Sequence, residues 1–579
     1  MDSRRLLGPS LWLDAPGVIL EAVLDPARAE AELAAWRERL DAIVAALGWQ
    51  VTTHVRRHVA PDGPRAALAC TAPIDVLLTA TLVNEWAWIG AATDGARRAA
   101  ATMAAEDERL PDAFDAAVAR LRTLLAAEAN AALLALAERA ARARVPLVTD
   151  DDLVTLGYGA RGRSWPMRAL PAPGDVDWGA RGTIPVALVT GSNGKTTTVR
   201  LVAAMLRAAG HKVGYSCSDG VFVEDECLAS GDWSGPEGAR RIFRDARVTA
   251  AVLETARGGL LRRGLVVPQA AAAIVTNIAE DHFGAYGIQS ERELAEVKLG
   301  VARALGREGT LVLNGDDATL RAVMDEPRGA RAGAPRRVET GSGAGASAPH
   351  VTWFGRANPP GSVPPAAQMP LAAGGAAAYN VMNAIGAAYV ARALGVPDEA
   401  ITRTLRTFGG ENEDNPGRLQ RFELGGVRIW VDYAHNPHGL AALLGAAHAS
   451  RGDGRVGVLL GQAGDRDDAA LRALARAAWD RAPDRVTVKD IPHFRRGRAP
   501  GEVPAILRDT LLAAGAPADR IAMAPEEVDG VRDLLAWARP GDLLVLPVHA
   551  LAARDGTLAL VERLRSAGWR PGQPLPGID

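Results

Sequence analysis

Lysine is scarce in this chain of 579 residues, because only four of its 66 basic residues are lysines and the rest are arginines. The four are Lys195, Lys212, Lys298 and Lys489. Together with 61 glycines and 36 prolines, this bias is typical of a GC-rich genome. A lysine that persists in such a chain is a candidate for a role that arginine cannot fill, since its amine can lose a proton and react whereas a guanidinium stays charged.

Cysteine and long apolar runs are lacking as well. Three cysteines are too few for a disulfide framework and lack metal-ligand spacing, which favours a reducing compartment. No uncharged apolar run reaches about 18 residues, so we expect no membrane span. Asp14 ends the first apolar run too early for a signal peptide. We therefore expect a cytoplasmic protein.

The chain has no excess of charge of either sign, with 66 Lys and Arg against 68 Asp and Glu. A nucleic-acid-binding protein usually carries a basic excess, so we expect no nucleic-acid partner. A hydrophobic content of 48% with 23% charged residues is ordinary for a globular protein and argues against wholesale disorder. At roughly 100–200 residues per domain, the length predicts about three domains.

Strand and helix signals divide the chain into α/β regions. The predicted units are an N-terminal α/β domain (1–165), a linker dense in Pro and Gly (166–183), a central domain (184–415) and a C-terminal domain (416–579). In the last two, apolar strands alternate with helices, which predicts parallel sheets covered on both faces. Residues 113–144 form one long helix-forming stretch, and 328–349 and 357–377 are predicted to be exposed loops because Gly, Ala, Pro and Ser dominate them.

The strongest local signal is the segment PVALVTGSNGKTTT, residues 185–198. An apolar strand enters a glycine turn and then a helix, an arrangement whose backbone amides and helix N-terminus bind phosphate. Val189 stands where the full GxxxxGK[ST] spacing places its first glycine, so the alternative is a chance glycine-rich turn. The residues predicted to surround ATP and Mg²⁺ here are Gly191, Ser192, Asn193, Gly194, Lys195 (on the β/γ-phosphates), Thr196 (on Mg²⁺) and Thr197.

The shortened loop resembles the nucleotide loop of the Mur ligase superfamily, ATP-dependent ligases that join a carboxylate to an amine. Further segments resemble motifs of that family in the expected order. They are LETARGG (253–259), NIAEDH (277–282), AEVKLGVA (295–302), LNGDD (313–317), YNVMN (379–383), PGR (416–418), VDYAHNP (431–437) and GDRD (464–467). The resemblance implies an α/β fold with a central P-loop ATPase domain and a C-terminal Rossmann-like domain.

The resemblance also implies roles for individual residues. They are Mg²⁺ binding for Glu254 and His282, a carbamylated, metal-binding side chain for Lys298, proximity to the adenine for Asn380 and Asn383, and closure over the nucleotide for Arg418, Asp432 and His435. Taken singly, each has an ordinary alternative, such as a core histidine for His435 or a turn residue for Asn380. Lysine-specific chemistry at Lys298 is plausible on its own, because a neutral amine reacts with CO₂ and a guanidinium does not deprotonate.

A closer resemblance lies within this one. The stretch from Asp219 to Leu265, the RGRAPGE segment (496–502), LLGPSLW (6–12) and LGYG (156–159) are similar to parts of cyanophycin synthetases. In those synthetases an ATP-grasp domain separates the last of these N-terminal segments from the nucleotide loop. Here the loop follows within about 30 residues, so the ATP-grasp domain is absent.

The resemblance implies ATP-dependent formation of an isopeptide bond through an acyl phosphate, with an aspartyl peptide as acid and arginine or a dipeptide as amine. Arg257, Arg262 and Arg263 are candidates to hold the carboxylates of the acceptor, or else form a solvated arginine face. Other substrates of the same mechanism, a catalytically silent scaffold and a plain P-loop kinase or hydrolase remain alternatives. We expect a small-molecule or peptide substrate and a homo-oligomer.

Overall fold

The structure is a computed structural model, and it describes residues 2–60, 63–92, 110–280, 283–325 and 349–575. Within these ranges, no helix combines the length and the apolar character needed to cross a membrane.

The N-terminal region is a four-stranded antiparallel sheet covered on one face by helices. The sheet order is β1-β2-β4-β3. Trp36, Leu40 and Val83 lie in the core between the helices and the sheet, and all are almost fully buried. The elements are β1 (Asp2–Leu6), β2 (Gly17–Val23), α1 (Ala29–Ala46), β3 (Thr53–Ala60), β4 (Gly63–Thr71) and α2 (Leu77–Ala91).

The helix-forming stretch at 113–144 is two helices, not one. They are α3 (Phe114–Glu128) and α4 (Ala131–Ala143). Asn130 separates them, because its side-chain oxygen accepts a hydrogen bond from the Leu133 amide at 3.0 Å and begins α4. Asparagine is a strong N-cap residue, so this boundary was available in the sequence.

The predicted linker packs against the N-terminal region. A small antiparallel sheet precedes it, formed by β5 (Leu147–Thr149), β6 (Leu153–Leu156) and β7 (Arg163–Pro166). Residues 167–175 form two short 3₁₀ turns, after which Val176 lies buried with Leu136 and Leu156. The connection is therefore irregular in structure but fixed in place.

The central domain is built on an eight-stranded sheet of order β11-β10-β9-β12-β8-β13-β14-β15. Six of the strands are parallel, while β10 and β11 extend one edge in antiparallel fashion. The strands are β8 (Val186–Thr190), β9 (Val213–Cys217), β10 (Gly220–Val223), β11 (Glu226–Ser230), β12 (Ala250–Glu254), β13 (Ala270–Val275), β14 (Leu305–Asn314) and β15 (His350–Phe354).

Helices cover both faces of this sheet, as the apolar strands predicted, and two separate cores result. The helices are α5 (Lys195–Ala208), α6 (Pro236–Arg244), α7 (Arg257–Arg263), α8 (Glu291–Leu299), α9 (Ala318–Asp325), α10 (Ala378–Ala393) and α11 (Asp398–Thr407). Strand β8 lies inside the sheet between β12 and β13, so its carboxyl end opens where ligands bind in folds of this kind.

The N-terminal segment docks directly on helix α7. The Leu7 amide donates to the Arg263 carbonyl at 2.8 Å, and Arg4 donates to the Leu261 carbonyl at 3.0 Å. Gly8 lies so close that an added Cβ would be 2.1 Å from the Leu265 carbonyl oxygen. Leu6 and Trp12 share one apolar core with the central sheet.

The prediction of an exposed loop at 357–377 is wrong for its second half. Residues 366–375 form two short 3₁₀ turns, and Met369, Leu371 and Ala372 are buried against helix α10. Alanine and glycine allow close packing as readily as exposure, so composition alone does not distinguish the two. The other predicted loop, 328–349, lies outside the described residues except for its last position.

The C-terminal domain is a six-stranded sheet of order β16-β17-β21-β18-β19-β20 in which only β16 is antiparallel among the described strands. Apolar cores lie on both faces. The elements are β16 (Gln420–Leu424), β17 (Val427–Asp432), α12 (Pro437–Ser450), β18 (Val456–Leu460), α13 (Asp468–Trp479), β19 (Arg485–Lys489), α14 (Glu502–Ala513), β20 (Ile521–Ala524), α15 (Glu527–Trp537), β21 (Leu543–Pro547) and α16 (Leu551–Ser566).

Lys489 lies fully buried at the carboxyl edge of this sheet. From the end of β19 its side chain passes over Gly461, where an added Cβ would be 2.6 Å from Lys489 Cγ. Its amine donates to Glu527 and to the Pro547 carbonyl. Glu527 also accepts the backbone amides of His549 and Ala550, at 2.8 and 2.9 Å. One buried ion pair thus ties β19, α15 and the end of β21 together.

We expect Lys489→Met to destabilise the protein by about 3–5 kcal/mol, because it leaves the Glu527 carboxylate buried without its cation. Lys212→Met is the matched control, since Lys212 is exposed and its removal should change stability by less than about 0.5 kcal/mol. Chemical denaturation of the two single variants and of the double variant Lys489→Met/Glu527→Gln measures their free energies of unfolding. Equal stability of the two single variants would contradict the structural role of the pair.

Candidate active site

The phosphate loop (residues 190–196) has a backbone that only glycine adopts readily at two positions. Gly191 has φ +144° and Gly194 has φ +81°. There is also no room for a side chain, because an added Cβ would lie 1.8 Å from Thr276 Oγ1 at Gly191 and 2.2 Å from Asn383 Oδ1 at Gly194. The loop leads into α5 at Lys195, so the amides of the helix N-terminus face the same space.

Residues at the end of the neighbouring strand β13 hold the loop in shape. The Asn193 amide donates to Asn277 Oδ1 at 3.0 Å, and the Asn193 carbonyl accepts hydrogen bonds from Thr276 Oγ1 and Asn277 Nδ2 at 2.6 and 3.0 Å. The Ser192 amide donates to the Asn277 carbonyl at 2.9 Å. The first residue of the NIAEDH motif therefore acts as a clamp on the phosphate loop.

Thr196 and Glu254 are brought together as predicted. Thr196 Oγ1 donates to Glu254 Oε2 at 2.8 Å and also lies 2.9 Å from Ser218 Oγ. Burial raises the pKa of Glu254 above its usual value, against the opposing effects of Lys195 and of the Thr196 hydrogen bond. A nearby cation would therefore favour the ionised form.

A hydroxyl and a carboxylate are hard oxygen ligands of the kind that Mg²⁺ takes, so Thr196 and Glu254 fit this metal. Among the residues that the structure describes, no group of three or more His, Cys, Asp or Glu is placed to hold a metal ion. Of the two other predicted ligands, His282 and Lys298, His282 lies outside the described residues.

Lys195 and Lys298 both contact the carbonyl side of the loop. Lys195 Nζ donates to the Ser192 carbonyl at 3.0 Å. Lys298 comes from α8, is 2% exposed, and its Nζ donates to the Gly191 carbonyl at 2.8 Å. In the structure the amine of Lys298 thus supports the loop backbone, and its predicted role as a carbamylated metal ligand stays a prediction.

The hinge into the C-terminal domain reaches the same cluster. Arg418 Nη2 donates to Ser218 Oγ at 3.1 Å, and its guanidinium lies 4.2 Å from the centre of the Tyr433 ring. Asp432 accepts the amides of Leu419 and Ala434 at 2.7 and 2.8 Å. Asp432 therefore ties the hinge to the DYAHNP loop, and burial raises the pKa of its carboxyl group.

Asn193 connects the loop to the C-terminal domain. Its Oδ1 accepts a hydrogen bond from Asn436 Nδ2 at 2.9 Å, and its Nδ2 lies 3.2 Å from His438 Nδ1. His435 turns back on its own loop, with Nδ1 3.1 Å from the Tyr433 carbonyl oxygen. In the DYAHNP motif, it is therefore Asn436 whose side chain contacts the phosphate loop.

The two asparagines of the YNVMN motif are buried at the start of α10. Asn383 Nδ2 donates to Asn380 Oδ1 at 3.1 Å, and Asn380 Nδ2 donates to the Leu371 carbonyl at 3.1 Å. Asn383 lies against Gly194, as the close approach of its Oδ1 shows. Both side chains thus form a polar wall next to the phosphate loop, and Leu371 lines a cavity of about 470 Å³ beside the hinge.

The predicted acceptor-binding arginines are less well placed. Arg262 and Arg263 lie exposed at the end of α7, where the backbone of Arg263 serves the docking of the N-terminal segment. Arg257 is half-buried at the start of α7, two residues after Thr255. Of the three arginines, Arg257 is the one closest to Glu254 in the sequence, three positions after it.

Residues that the sequence patterns did not single out complete the cluster. Ser218 lies between Thr196 and Arg418. Its neighbour Asp219 is surrounded by Arg200, Arg418 and Arg554. Asp219 opens the DGVFV stretch, but nothing in that stretch indicates which of many arginines it meets.

We expect Gly194→Ala to abolish binding of Mg²⁺–AMPPNP, because the new Cβ would displace Asn383 and strain a backbone with positive φ. Gly210→Ala separates the two causes, since Gly210 has φ +90° but open space around its Cβ position. That variant should lose about 1 kcal/mol of stability and keep its nucleotide affinity. Calorimetric titration and thermal unfolding measure both, and undiminished affinity in Gly194→Ala would contradict this reading of the loop.

Two family models match the chain, "Mur ligase middle domain" over residues 189–391 and "Mur ligase, glutamate ligase domain" over residues 417–547. A cyanophycin synthetase from Synechocystis sp. is 35% identical over 352 residues, which are 58% of this chain and 39% of that protein. The chain thus spans about two fifths of the length of the cyanophycin synthetases that it matches.

A UDP-N-acetylmuramate–L-alanine ligase from Kineococcus radiotolerans is 32% identical over 377 residues, covering 62% of this chain and 70% of that protein. Among solved structures, a bifunctional folylpolyglutamate synthase/dihydrofolate synthase from Yersinia pestis, complexed with AMPPNP and Mn ion, is 19% identical with a TM-score of 0.47. That match covers 65% of this chain and 88% of the other. Because two Mur ligase domain models match and the chain covers 70% of the 32% identical ligase from Kineococcus radiotolerans, the chain belongs to the Mur ligase family.

Proposed function

We propose that the protein is an ATP-dependent, ADP-forming ligase that joins a carboxylate to an amine through an acyl phosphate. The observation that carries this proposal is the cluster formed by Lys195, Thr196, Glu254 and Arg418 at the carboxyl end of β8. A carboxylate does not react with an amine at neutral pH, so it must first be activated by phosphoryl transfer. Such transfer depends on positioning and on fixed positive charge, and this cluster supplies both.

Each residue has a part that follows from its position. The amides at the start of α5 and the Lys195 amine bind the phosphates of ATP. Thr196 and Glu254 would hold Mg²⁺, which would neutralise the phosphate charge when bound. Arg418 brings a further cation to the site from the hinge. Asn380 and Asn383 offer hydrogen-bonding groups to the base, and Asp432 and His435 belong to the loop that closes over the nucleotide.

For the substrates, we propose an aspartyl peptide or cyanophycin-like acceptor as the acid and arginine, or a dipeptide, as the amine. The support is the 35% identity to a cyanophycin synthetase over 352 residues. No ATP-grasp domain stands between LGYG (156–159) and the phosphate loop, where the resemblance places one, so a single type of ligation is proposed here. Unrelated small acids and amines are the alternative within the same mechanism.

The test is to identify the product formed from ATP, an aspartyl peptide and arginine. We expect mass spectrometry to detect a product heavier than the peptide by one arginine less one water, with one phosphate released per bond. Lys195→Ala should reduce turnover to background, because it removes a cation from the phosphates. Lys212→Ala is the control variant, because Lys212 is exposed, and it should be fully active.

Turnover with a different acid and amine in a substrate panel would replace the proposed substrates and keep the ligase. A wild-type protein that binds no Mg²⁺–ATP and releases no phosphate with any acceptor would establish the silent scaffold instead. ADP formation without any acceptor, unaffected by acids or amines, would favour a plain P-loop hydrolase.

We further propose that Lys298 becomes carbamylated, its neutral amine adding CO₂ with loss of one proton. The carbamate carbon should give a ¹³C NMR signal after incubation with ¹³C-bicarbonate, and Lys298→Arg should abolish both this signal and turnover. If Lys298 only supports the loop as an amine, the signal will be missing in the wild type. A fully active Lys298→Arg enzyme would contradict the carbamate and leave the ligase proposal intact.

A further inference from the structure

One buried carboxylate lies among three arginines where the central and C-terminal domains meet. The side chain of Asp219 is 5% exposed and follows strand β9. Its Oδ2 is 3.3 Å from Arg200, and its Oδ1 is 3.1 Å from Arg554 and 3.8 Å from Arg418. Although burial disfavours the ionised form, these guanidiniums hold the pKa of Asp219 below its usual value.

The cluster carries more positive than negative charge and adjoins the phosphate loop. Arg418 bonds to Ser218 Oγ at 3.1 Å, Ser218 Oγ lies 2.9 Å from Thr196 Oγ1, and Thr196 bonds to Glu254. A continuous chain of polar contacts thus runs from Asp219 to the two residues proposed to hold Mg²⁺. A shift of Arg418 would therefore change the hydrogen bonding of Thr196 through Ser218.

Arg554 reaches this cluster from the other domain. It lies in the first turn of α16, and its side chain is 14% exposed. Its aliphatic part crosses the hinge at Gly417, where φ is +66° and an added Cβ would be 2.7 Å from Arg554 Cδ. Arg554 therefore contacts Asp219 across the domain boundary while packing on the residue next to Arg418.

Arg554 and Arg418 both approach the same carboxylate oxygen, Oδ1 of Asp219. Arg554 donates a hydrogen bond to Asp219 Oδ1. Arg418 is 3.8 Å from the same oxygen and donates to Ser218 Oγ instead. Without Arg554, Oδ1 would be a buried acceptor with the guanidinium of Arg418 as its nearest remaining cation, at 3.8 Å. The strength of a charge-assisted hydrogen bond would then draw Arg418 toward Asp219 and away from Ser218.

We propose that Arg554 is a positioning residue, which satisfies Asp219 when the C-terminal domain is in place and so keeps Arg418 beside Ser218 and Thr196. The proposal rests on the ligase function above and adds to it a residue that links the position of the C-terminal domain to the phosphate site. Arg554 itself contacts neither the phosphate loop nor the proposed metal ligands in the described structure.

The test compares wild type with Arg554→Met, Asp219→Asn, the double variant and Arg554→Lys, by ATP-dependent phosphate release with the acceptor that the wild type uses. We expect Arg554→Met to lower kcat about 10- to 100-fold with little change in the KM for ATP, because a misplaced Arg418 affects the transition state. Arg554→Lys should recover part of this loss. The control is Arg565→Met on the same helix, where Arg565 is exposed and pairs only loosely with Glu562 at 3.8 Å.

The decisive outcome is the double variant. Asp219→Asn removes the charge that would attract Arg418, so it should restore kcat of Arg554→Met at least several-fold. A purely structural role for Arg554 predicts the opposite, since losing both partners of the cluster would lower activity further. Wild-type kcat in Arg554→Met, or a deeper loss in the double variant, would overturn the proposal.

A readout without turnover separates this proposal from the ligase function. Hydrogen exchange of the hinge amides of residues 415 and 417–419 should be faster in Arg554→Met than in wild type and Arg565→Met, and slower again in the double variant. If the wild type has no ligase activity with any acceptor, the proposed function fails and this exchange pattern still decides the role of Arg554. Unchanged exchange in Arg554→Met would count against it.

Discussion

The site depends on one constraint, which is that the phosphate loop keeps a left-handed, side-chain-free backbone at the end of β8. Thr276 fills the space that a side chain at Gly191 would need, and Asn383 does the same at Gly194. Asn277 then fixes the loop amides. Because β12, β8 and β13 are adjacent parallel strands, their carboxyl ends bring Glu254, the loop and this clamp to one edge of the sheet.

Contacts to the C-terminal domain use the same loop. The backbone of Asn193 is held by the end of β13, while its side chain is held by Asn436 and lies beside His438. Asn193 therefore contacts both the central domain and the C-terminal domain. Further polar contacts across the boundary join Asp219 to Arg554 and Ser218 to Arg418. Polar contacts of this kind can be broken and remade at lower cost than an apolar core, which suits a site that must admit substrates and release products.

Much of this arrangement follows from the sequence. Strands β8, β12, β18 and β21 are continuous apolar runs, which is what burial on both faces requires, and the phosphate loop is recognisable from its glycines and from Lys195. Local signals also had limits. Asn130 marks a helix boundary by its N-cap preference although helix-forming residues flank it, whereas the alanines of 366–377 do not indicate whether they pack or face water.

The pairing of Asp219 with Arg554 could not be predicted, because 335 residues separate them and arginine is abundant throughout the chain. Nothing in local spacing identifies which arginine meets a given carboxylate. Such a contact depends on how α16 packs against the hinge, which is a property of the assembled domains. The sequence therefore predicted the residues that motifs share, and the structure was needed for those that hold them in place.

The scarcity of lysine takes on a definite physical meaning in the structure. Lys195, Lys298 and Lys489 each donate to a main-chain carbonyl at or just beyond a strand end, those of Ser192, Gly191 and Pro547. At Lys489 the site offers room for a compact ammonium on a thin stem, as the close approach of its side chain to Gly461 shows. A planar guanidinium has five donors to satisfy and would leave several of them buried without acceptors. Lys212, the exposed fourth, meets no such restriction. Of the three lysines that donate to a backbone oxygen, two thus border the phosphate loop.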